Sequence, residues 1–202
     1  MKPLLIIISA PSGTGKTTLC DRLLRDYPEI TYSVSCTTRL PRGEEEHGAD
    51  YFFMDTTEFE RRLRANQFME HAIVHGNRYG TLREPVEEAM SEGQSVLMDI
   101  DVAGAAQVRE FVAKLPEDNI MRQGFVDIFI RPPSIEVLRE RLLGRAEDDE
   151  ETIALRLENA AGEMARAKEY NYQIVNDKLE DACMELDEII LYASTKVRRN
   201  LF

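Results

Sequence analysis

Short apolar runs alternate along the chain with longer stretches in which apolar residues recur every three or four positions. The apolar runs are typical of buried strands and lie at residues 4–9, 31–35, 95–99, 126–131 and 172–175. The periodic stretches predict helices at residues 17–25, 56–65, 84–91, 103–115, 134–143, 152–170 and 179–197. Strands that alternate with helices in this way predict an α/β fold with a parallel sheet flanked by helices.

The alternation is interrupted between residues 36 and 93, a segment rich in Gly, Arg, Tyr and acidic residues. Strand-like patterns inside it are short and lie at residues 51–54 and 68–74. We therefore expect this segment to form a small inserted lobe.

Composition and charge narrow the classes of function. The chain has 202 residues and 43% apolar content, which predicts one compact domain. The 25 Lys and Arg against 37 Asp and Glu give a net charge of −12. This balance argues against binding to a nucleic-acid polymer or an anionic membrane, although it does not exclude a nucleotide.

The cysteines and the early apolar run bear on the compartment. Cys20, Cys36 and Cys183 are widely spaced and form no CxxC pair, so we expect apolar filler in a reduced interior rather than disulfides or a zinc site. The run at residues 4–8 is far shorter than the roughly 20 residues that span a bilayer. These features predict a cytoplasmic protein without a membrane segment.

A phosphate-binding loop follows the first predicted strand. Residues 10–17 match the phosphate-loop pattern, with Ala10 in place of its first glycine and Gly15, Lys16 and Thr17 intact. Backbone N–H groups and the positive end of the next helix suit phosphate oxygens, while Lys16 suits the β and γ phosphates and Thr17 suits Mg²⁺. The predicted triphosphate site comprises Ala10, Pro11, Ser12, Gly13, Thr14, Gly15, Lys16, Thr17 and Thr18.

Two carboxylates end the strand-like run that begins at residue 95. Asp99 and Asp101 are placed where a strand beside the phosphate loop would carry a metal-organising Asp, acting directly or through water. Strand-end caps are the alternative interpretation. The loop and these carboxylates leave the phosphoryl acceptor open.

Residues 37–53 carry the most distinctive motif of the sequence. They carry two threonines and an arginine, then a basic residue, an acid, a glycine, a tyrosine and an aromatic residue at fixed spacings, and here the chain resembles guanylate kinases. Similar blocks lie, in the family's order, at residues 33–35, 68–70, 76–81, 97–101, 132–134 and 174–177.

The resemblance implies an enzyme that phosphorylates GMP, and dGMP as well, with ATP as donor and Mg²⁺ as cofactor. It implies a single domain over residues 1–202, with a P-loop kinase core, a GMP-binding lobe and a helical lid. The implied core comprises residues 1–35, 94–137 and 157–202, the lobe residues 36–93, and the lid about residues 138–156.

The acceptor site has a physical logic of its own. Arg39 and Arg42 can form bidentate hydrogen bonds to a phosphate dianion, and Tyr51 and Tyr79 can add neutral donors. By resemblance, Glu70 accepts the N1–H and N2–H groups of guanine. Ser35 and Thr81 then donate to O6 of the base, and Asp101 lies near the base or the metal. The implied GMP-binding residues are Ser35, Arg39, Arg42, Tyr51, Glu70, Tyr79, Gly80, Thr81, Asp99 and Asp101.

The resemblance also implies the groups that act in transfer. These are Lys16 and Arg42 together with three lid arginines, Arg141, Arg145 and Arg156, and Asn176 is implied to contact adenine. The chain departs from the family pattern after Arg145, where Ala146 and Glu147 replace Gly and Thr.

Two other functions stay open at this level. The first is an inactive guanylate-kinase-like module that binds phosphopeptides, and the second is a kinase for a different monophosphate. The sequence also leaves open whether the protein is a monomer or a homo-oligomer.

Overall fold

The structure is a computed structural model that describes residues 2–144 and 149–196. Its elements, in chain order, are β1 (Leu5–Ser9), α1 (Lys16–Asp26), β2 (Ile30–Tyr32), β3 (Cys36–Thr37), β4 (Phe52–Phe53), α2 (Thr56–Arg64), β5 (Phe68–Val74), β6 (Asn77–Leu82), α3 (Arg83–Ser91), β7 (Ser95–Asp99), α4 (Val102–Ala113), α5 (Ile120–Gln123), β8 (Phe125–Arg131), α6 (Ile135–Gly144), α7 (Glu150–Ala165), β9 (Tyr172–Val175) and α8 (Leu179–Lys196).

A five-stranded sheet in the order β2-β7-β1-β8-β9 forms the core. Every pairing in it is parallel, so the predicted α/β fold with a parallel sheet is confirmed. All five residues of β1 are buried because helices cover both faces. Ile6 and Ile8 pack towards α1 and α8, whereas Leu5 and Ile7 pack towards α3 and α4.

The inserted segment forms a second sheet of four strands in the order β4-β3-β6-β5. The strand predicted at residues 31–35 is wrong in its second half, because β2 ends at Tyr32 and the chain crosses to the second sheet. The Ser33 N–H donates to the Leu97 carbonyl of the core at 2.9 Å, and the Ser35 carbonyl accepts from Phe52 N–H of the second sheet at 2.9 Å. The sequence pattern does not predict strand β6, because its polar residues are ordered by pairing with β3 and β5.

The helix predicted at residues 152–170 is also wrong at its end. Helix α7 stops at Ala165, and a 3₁₀ turn follows at Ala167–Glu169. The cause is Asp127 of β8, which is fully buried and accepts hydrogen bonds from Arg109 at 3.0 Å and from the backbone N–H of Asn171 at 2.9 Å. Satisfying this buried carboxylate requires the chain to leave the helix and approach the sheet.

Two further observations concern the sequence expectations. The three cysteines, Cys20, Cys36 and Cys183, are buried and unpaired. Within residues 2–144 and 149–196, no helix combines the length and apolar character needed to cross a membrane.

Candidate active site

The phosphate loop joins the end of β1 to the start of α1 and is shaped by its own backbone. Gly13 and Gly15 each have a φ of 87°, a conformation that glycine adopts without steric cost. The Pro11 carbonyl accepts from the Thr14 N–H at 3.3 Å and from the Thr14 hydroxyl at 2.7 Å, and Thr14 is only 1% exposed. Local hydrogen bonds therefore fix the shape of the loop.

The Lys16 ammonium lies at the carboxyl ends of the parallel strands. Its Nζ forms an ion pair with the Asp99 carboxylate, which ends β7 beside β1. Asp101 caps α4 by accepting from the Gly104 N–H at 2.7 Å. Thr17 is exposed in the first turn of α1. Among the described residues, no group of three or more His, Cys, Asp or Glu side chains is arranged around one point.

A cleft of about 500 Å³ opens beside the loop. It is lined by Gly13, Thr14, Gly15 and Thr18 on the loop side and by Arg141, Gly144, Asn176, Asp177 and Leu179 on the other. Asn176 is 5% exposed and its Nδ2 donates to the Thr14 carbonyl at 2.7 Å. Sequence reasoning missed this support for the loop, because the two residues are far apart in the chain.

The helices after β8 contact the phosphate loop. A Cβ atom at Gly13 would lie 2.9 Å from Leu142 Cδ2 of α6, so only glycine admits this contact. Arg141 donates to the Asp177 carbonyl at 3.2 Å, and Arg156 of α7 donates to Ser12 Oγ at 3.4 Å. Arg145, Ala146 and Glu147 lie outside the described residues.

Arg39 is held by an acidic partner within its own loop. Its two terminal nitrogens donate to the Glu45 carboxylate at 2.9 and 2.8 Å, and its Nε donates to Tyr79 Oη at 3.3 Å. The same guanidinium lies 5.3 Å from the centre of the Tyr51 ring. The edge of Arg39 that could form a bidentate contact with a phosphate is paired with Glu45 in this structure, and the predicted contact stays a prediction.

Glu45 is a residue that sequence reasoning left without a role. Besides Arg39, it accepts from the Arg42 backbone N–H at 2.8 Å. These hydrogen bonds, that from Arg39 first, lower the pKa of Glu45 to about 2. The signal was present as the acid of the 37–53 pattern, three residues after Arg42.

Glu70 is a buried carboxylate on β5. It is 7% exposed, and its Oε1 accepts from the Thr81 hydroxyl at 2.7 Å. Burial raises the pKa of Glu70, and the nearby charge of Asp101 adds to this effect. The Thr81 hydroxyl donates its single proton to Glu70 in this structure, and the predicted bond from Thr81 to a base oxygen stays a prediction.

Close packing around Glu70 explains a neighbouring glycine. A Cβ atom at Gly80 would lie 2.8 Å from the Glu70 carbonyl oxygen. Ser35, the other hydroxyl expected near the base, is half-buried at the crossing between the two sheets.

A further acid approaches the phosphate loop from α7. Glu163 is half-buried, and its pKa is raised by burial and by the charge of Asp101, while the charge of Lys16 opposes this rise. No spacing or motif in the sequence marked this residue.

Comparisons with known proteins point to one family over nearly the whole chain. The family model described as guanylate kinase matches residues 2–193. A guanylate kinase of Geobacter sulfurreducens is 45% identical over 197 residues, covering 98% of this chain and 92% of the relative. One from Thermotoga maritima is 42% identical over 200 residues, covering 99% and 92%. The crystal structure of guanylate kinase from Anaplasma phagocytophilum has a TM-score of 0.68 and 34% identity, covering 94% of this chain and 85% of that one. This chain belongs to the guanylate kinase family and is an enzyme of that family.

Proposed function

We propose that this enzyme transfers the γ-phosphoryl group of ATP to the phosphate of GMP, giving ADP and GDP. The observation that carries the acceptor is Glu70, a buried carboxylate held by Thr81 at 2.7 Å. Burying a carboxylate is costly unless donors meet it, and the adjacent N1–H and N2–H groups of guanine supply such donors. Adenine would instead present an acceptor to Glu70, which disfavours AMP.

The phosphate of GMP is assigned to the loop and strand around Arg39. Arg42 offers its guanidinium, and its backbone N–H is fixed by a hydrogen bond to Glu45. Tyr51 and Tyr79 offer hydroxyl donors. Arg39 is assigned to the same phosphate, with its guanidinium oriented by Glu45. Ser35, Gly80, Thr81, Asp99 and Asp101 are assigned, with Glu70, to the base end of GMP.

The donor end is assigned to the phosphate loop. The loop at residues 10–18 binds the phosphates of ATP through the Lys16 ammonium and through its backbone N–H groups, which every residue but Pro11 carries, and Asn176 borders the cleft for adenine. The hydroxyl and carboxylate oxygens of Thr17, Asp99 and Asp101 fit Mg²⁺, which takes one or two carboxylates together with substrate phosphates. When bound with ATP, Mg²⁺ neutralises charge on the β and γ phosphates.

Transfer then depends on positioning and positive charge. A GMP phosphate oxygen bonds to the γ-phosphorus as the bond to the β–γ bridging oxygen breaks, and ADP leaves. Lys16, Arg42, Arg141, Arg145 and Arg156 are the cations assigned to the charge that spreads over the phosphoryl oxygens. In this proposal residues 36–93 act as the GMP-binding lobe and residues 138–156 as a lid that excludes water.

The proposal extends to dGMP, since none of these contacts involves the ribose 2′-hydroxyl. It places the reaction in purine nucleotide metabolism in the cytoplasm, which is supported by the three buried, unpaired cysteines.

The test is a coupled assay of ADP release with ATP and Mg²⁺, offering GMP, dGMP, AMP, CMP, UMP or no acceptor. We expect turnover with the guanine nucleotides. Turnover with AMP would refute the assignment of Glu70, and ATP binding without any turnover would favour a binding module. The module is not favoured at present, because the phosphate loop and the Lys16–Asp99 pair are intact.

A matched pair of variants sharpens the test. We expect Glu70→Gln to raise the KM for GMP roughly 10- to 100-fold, since it loses hydrogen bonds to a charged acceptor, with the KM for ATP unchanged. Glu110→Gln, an exposed acid on α4, is the control and should match the wild type.

A further inference from the structure

One side chain of helix α4, Gln107, forms two hydrogen bonds to the outer edge of strand β5. The Gln107 Oε1 accepts from the His71 N–H at 3.1 Å, and the Gln107 Nε2 donates to the His71 carbonyl at 2.9 Å. Strand β5 is the edge of the second sheet, so within the described part of the chain its outward backbone groups face no neighbouring strand. The Gln107 amide therefore pairs with His71 as an adjacent strand would.

His71 directly follows Glu70, the carboxylate that is assigned to guanine. Glu70 itself meets α4 one turn earlier, since a Cβ atom at Gly104 would lie 3.1 Å from Glu70 Oε2. Gly104 and Gln107 are three residues apart and share one helix face. Helix α4 thus contacts residues 70 and 71 at two points, by close approach and by a two-bond amide clamp.

Helix α4 is itself capped at its start and tied to the core by an ion pair. Asp101 caps its first turn at 2.7 Å, and Arg109 is ion-paired with buried Asp127 at 3.0 Å. The Gln107 amide is consequently carried by a rigid element, whereas β5 belongs to the inserted sheet. A rigid support of this kind is what a recognition group needs, since misplacement by about 1 Å can cost on the order of 100-fold in rate.

We propose that Gln107 is a positioning residue for guanine recognition: by clamping His71 to α4 it sets the place of the Glu70 carboxylate. The proposal rests on the proposed function, because it gives Glu70 a base to recognise. Gln107 touches neither the base nor the phosphates, so its effect reaches GMP only through residues 70 and 71. The clamp is neutral and partly exposed, and its loss should therefore alter position more than stability.

The variant to use is Gln107→Met, which keeps the length and helix propensity of the side chain but removes both hydrogen bonds. Inosine monophosphate is the probe, since it lacks the guanine N2 amino group and so reports how well Glu70 is aimed. We expect the ratio of kcat/KM for GMP over inosine monophosphate to fall by about three- to tenfold, with the KM for ATP unchanged. The His71 amide hydrogen should exchange faster by NMR.

Glu110→Gln, one turn along the same helix, is the matched control and should change neither the ratio nor the exchange. If Gln107→Met does not fold, Gln107→Asn, which shortens the reach by one methylene, carries the same expectation. An unchanged ratio with faster His71 exchange overturns the positioning role, and unchanged exchange overturns the clamp itself. A wild type that does not phosphorylate GMP would overturn the proposed function and this inference with it, whereas an unaltered variant of a GMP-selective wild type overturns only the role of Gln107.

Discussion

The two ends of the site are built by different means. At the donor end, the phosphate loop is shaped mainly within itself, through the φ of 87° at Gly13 and Gly15 and the two bonds from Thr14 to the Pro11 carbonyl, with Asn176 as a support from outside the loop. At the acceptor end, the recognition groups are held by side-chain partners, as in the pairing of Arg39 with Glu45 and of Glu70 with Thr81. A backbone-built site presents N–H groups to any phosphate, whereas a side-chain-built site can be specific for one base.

The difference also sets how each end responds to substitution. Backbone donors of the loop survive most side-chain changes, so the donor end should depend chiefly on the cation within the loop itself, Lys16. The acceptor end consists of matched pairs, so removal of either partner should disturb the other.

The largest expected effect is at the donor end. Lys16→Met removes the ammonium that is assigned to the β and γ phosphates and leaves Asp99 without its partner. We expect kcat to fall roughly 100- to 1000-fold, as for loss of one stabilising donor in a transition state, with little change in the KM for GMP. Steady-state kinetics at saturating ATP measure this, with Lys114→Met, at an exposed lysine just after α4, as control. A large rise in the KM for GMP instead would show that the two ends are not separable.

A smaller effect is expected from a partner at the acceptor end. Glu45→Ala frees Arg39 and removes the acceptor of the Arg42 N–H, so the phosphate-binding loop should lose its shape. We expect the KM for GMP to rise about tenfold, with the KM for ATP unchanged.

Glu44→Ala is the control for that change, because it removes the same charge from the same loop and is exposed. A fall in the KM for GMP in Glu45→Ala alone would mean that Glu45 competes with the phosphate for Arg39, and it would contradict a supporting role for Glu45.

The same contrast explains which parts of the fold the sequence could predict. Strand β1, the phosphate loop and α1 are contiguous, and each is specified by apolar pattern and glycine spacing, so strand, loop and helix followed from local signals. The five parallel strands were likewise predictable from their local apolar patterns. The exception is the end of β2, which stops early where Ser33 begins the crossing to the second sheet.

The remaining features depend on residues distant in sequence. The end of α7 is set by Asp127 and Asn171, and the support of the phosphate loop by Asn176 acts across much of the chain. Spacing alone cannot show which acid pairs with Arg39, or that the Thr81 proton is used by Glu70. The residue types of the acceptor site could be named from the family pattern, but their pairing required the structure.

The smallest expected effect separates function from stability at Glu70. Its pKa is raised by burial, so the folded state binds its proton more tightly than the unfolded state, for which the ordinary value is 4.5. Ionised Glu70 therefore costs stability above pH 4.5, a cost that grows as the pH rises towards the folded pKa and is absent below pH 4.5. Glu70→Gln keeps an acceptor for Thr81 without the charge, and we expect its Tm at pH 7 to exceed that of the wild type by on the order of 2 °C.

Thermal unfolding between pH 4 and pH 8, with and without GMP, measures this prediction. Without GMP the difference between Glu70→Gln and the wild type should vanish as the pH falls through the ordinary carboxyl value. With saturating GMP the order should reverse, because the wild type gains more binding energy from the base than the variant does. Glu110, whose pKa is lowered by its hydrogen bond from Lys114, has the opposite sign: it contributes stability at neutral pH that is lost on acidification. If Glu70→Gln and Glu110→Gln shifted Tm in the same direction at pH 7, the burial of Glu70 would not be a cost to the fold, and the acceptor end would not be built at the expense of stability.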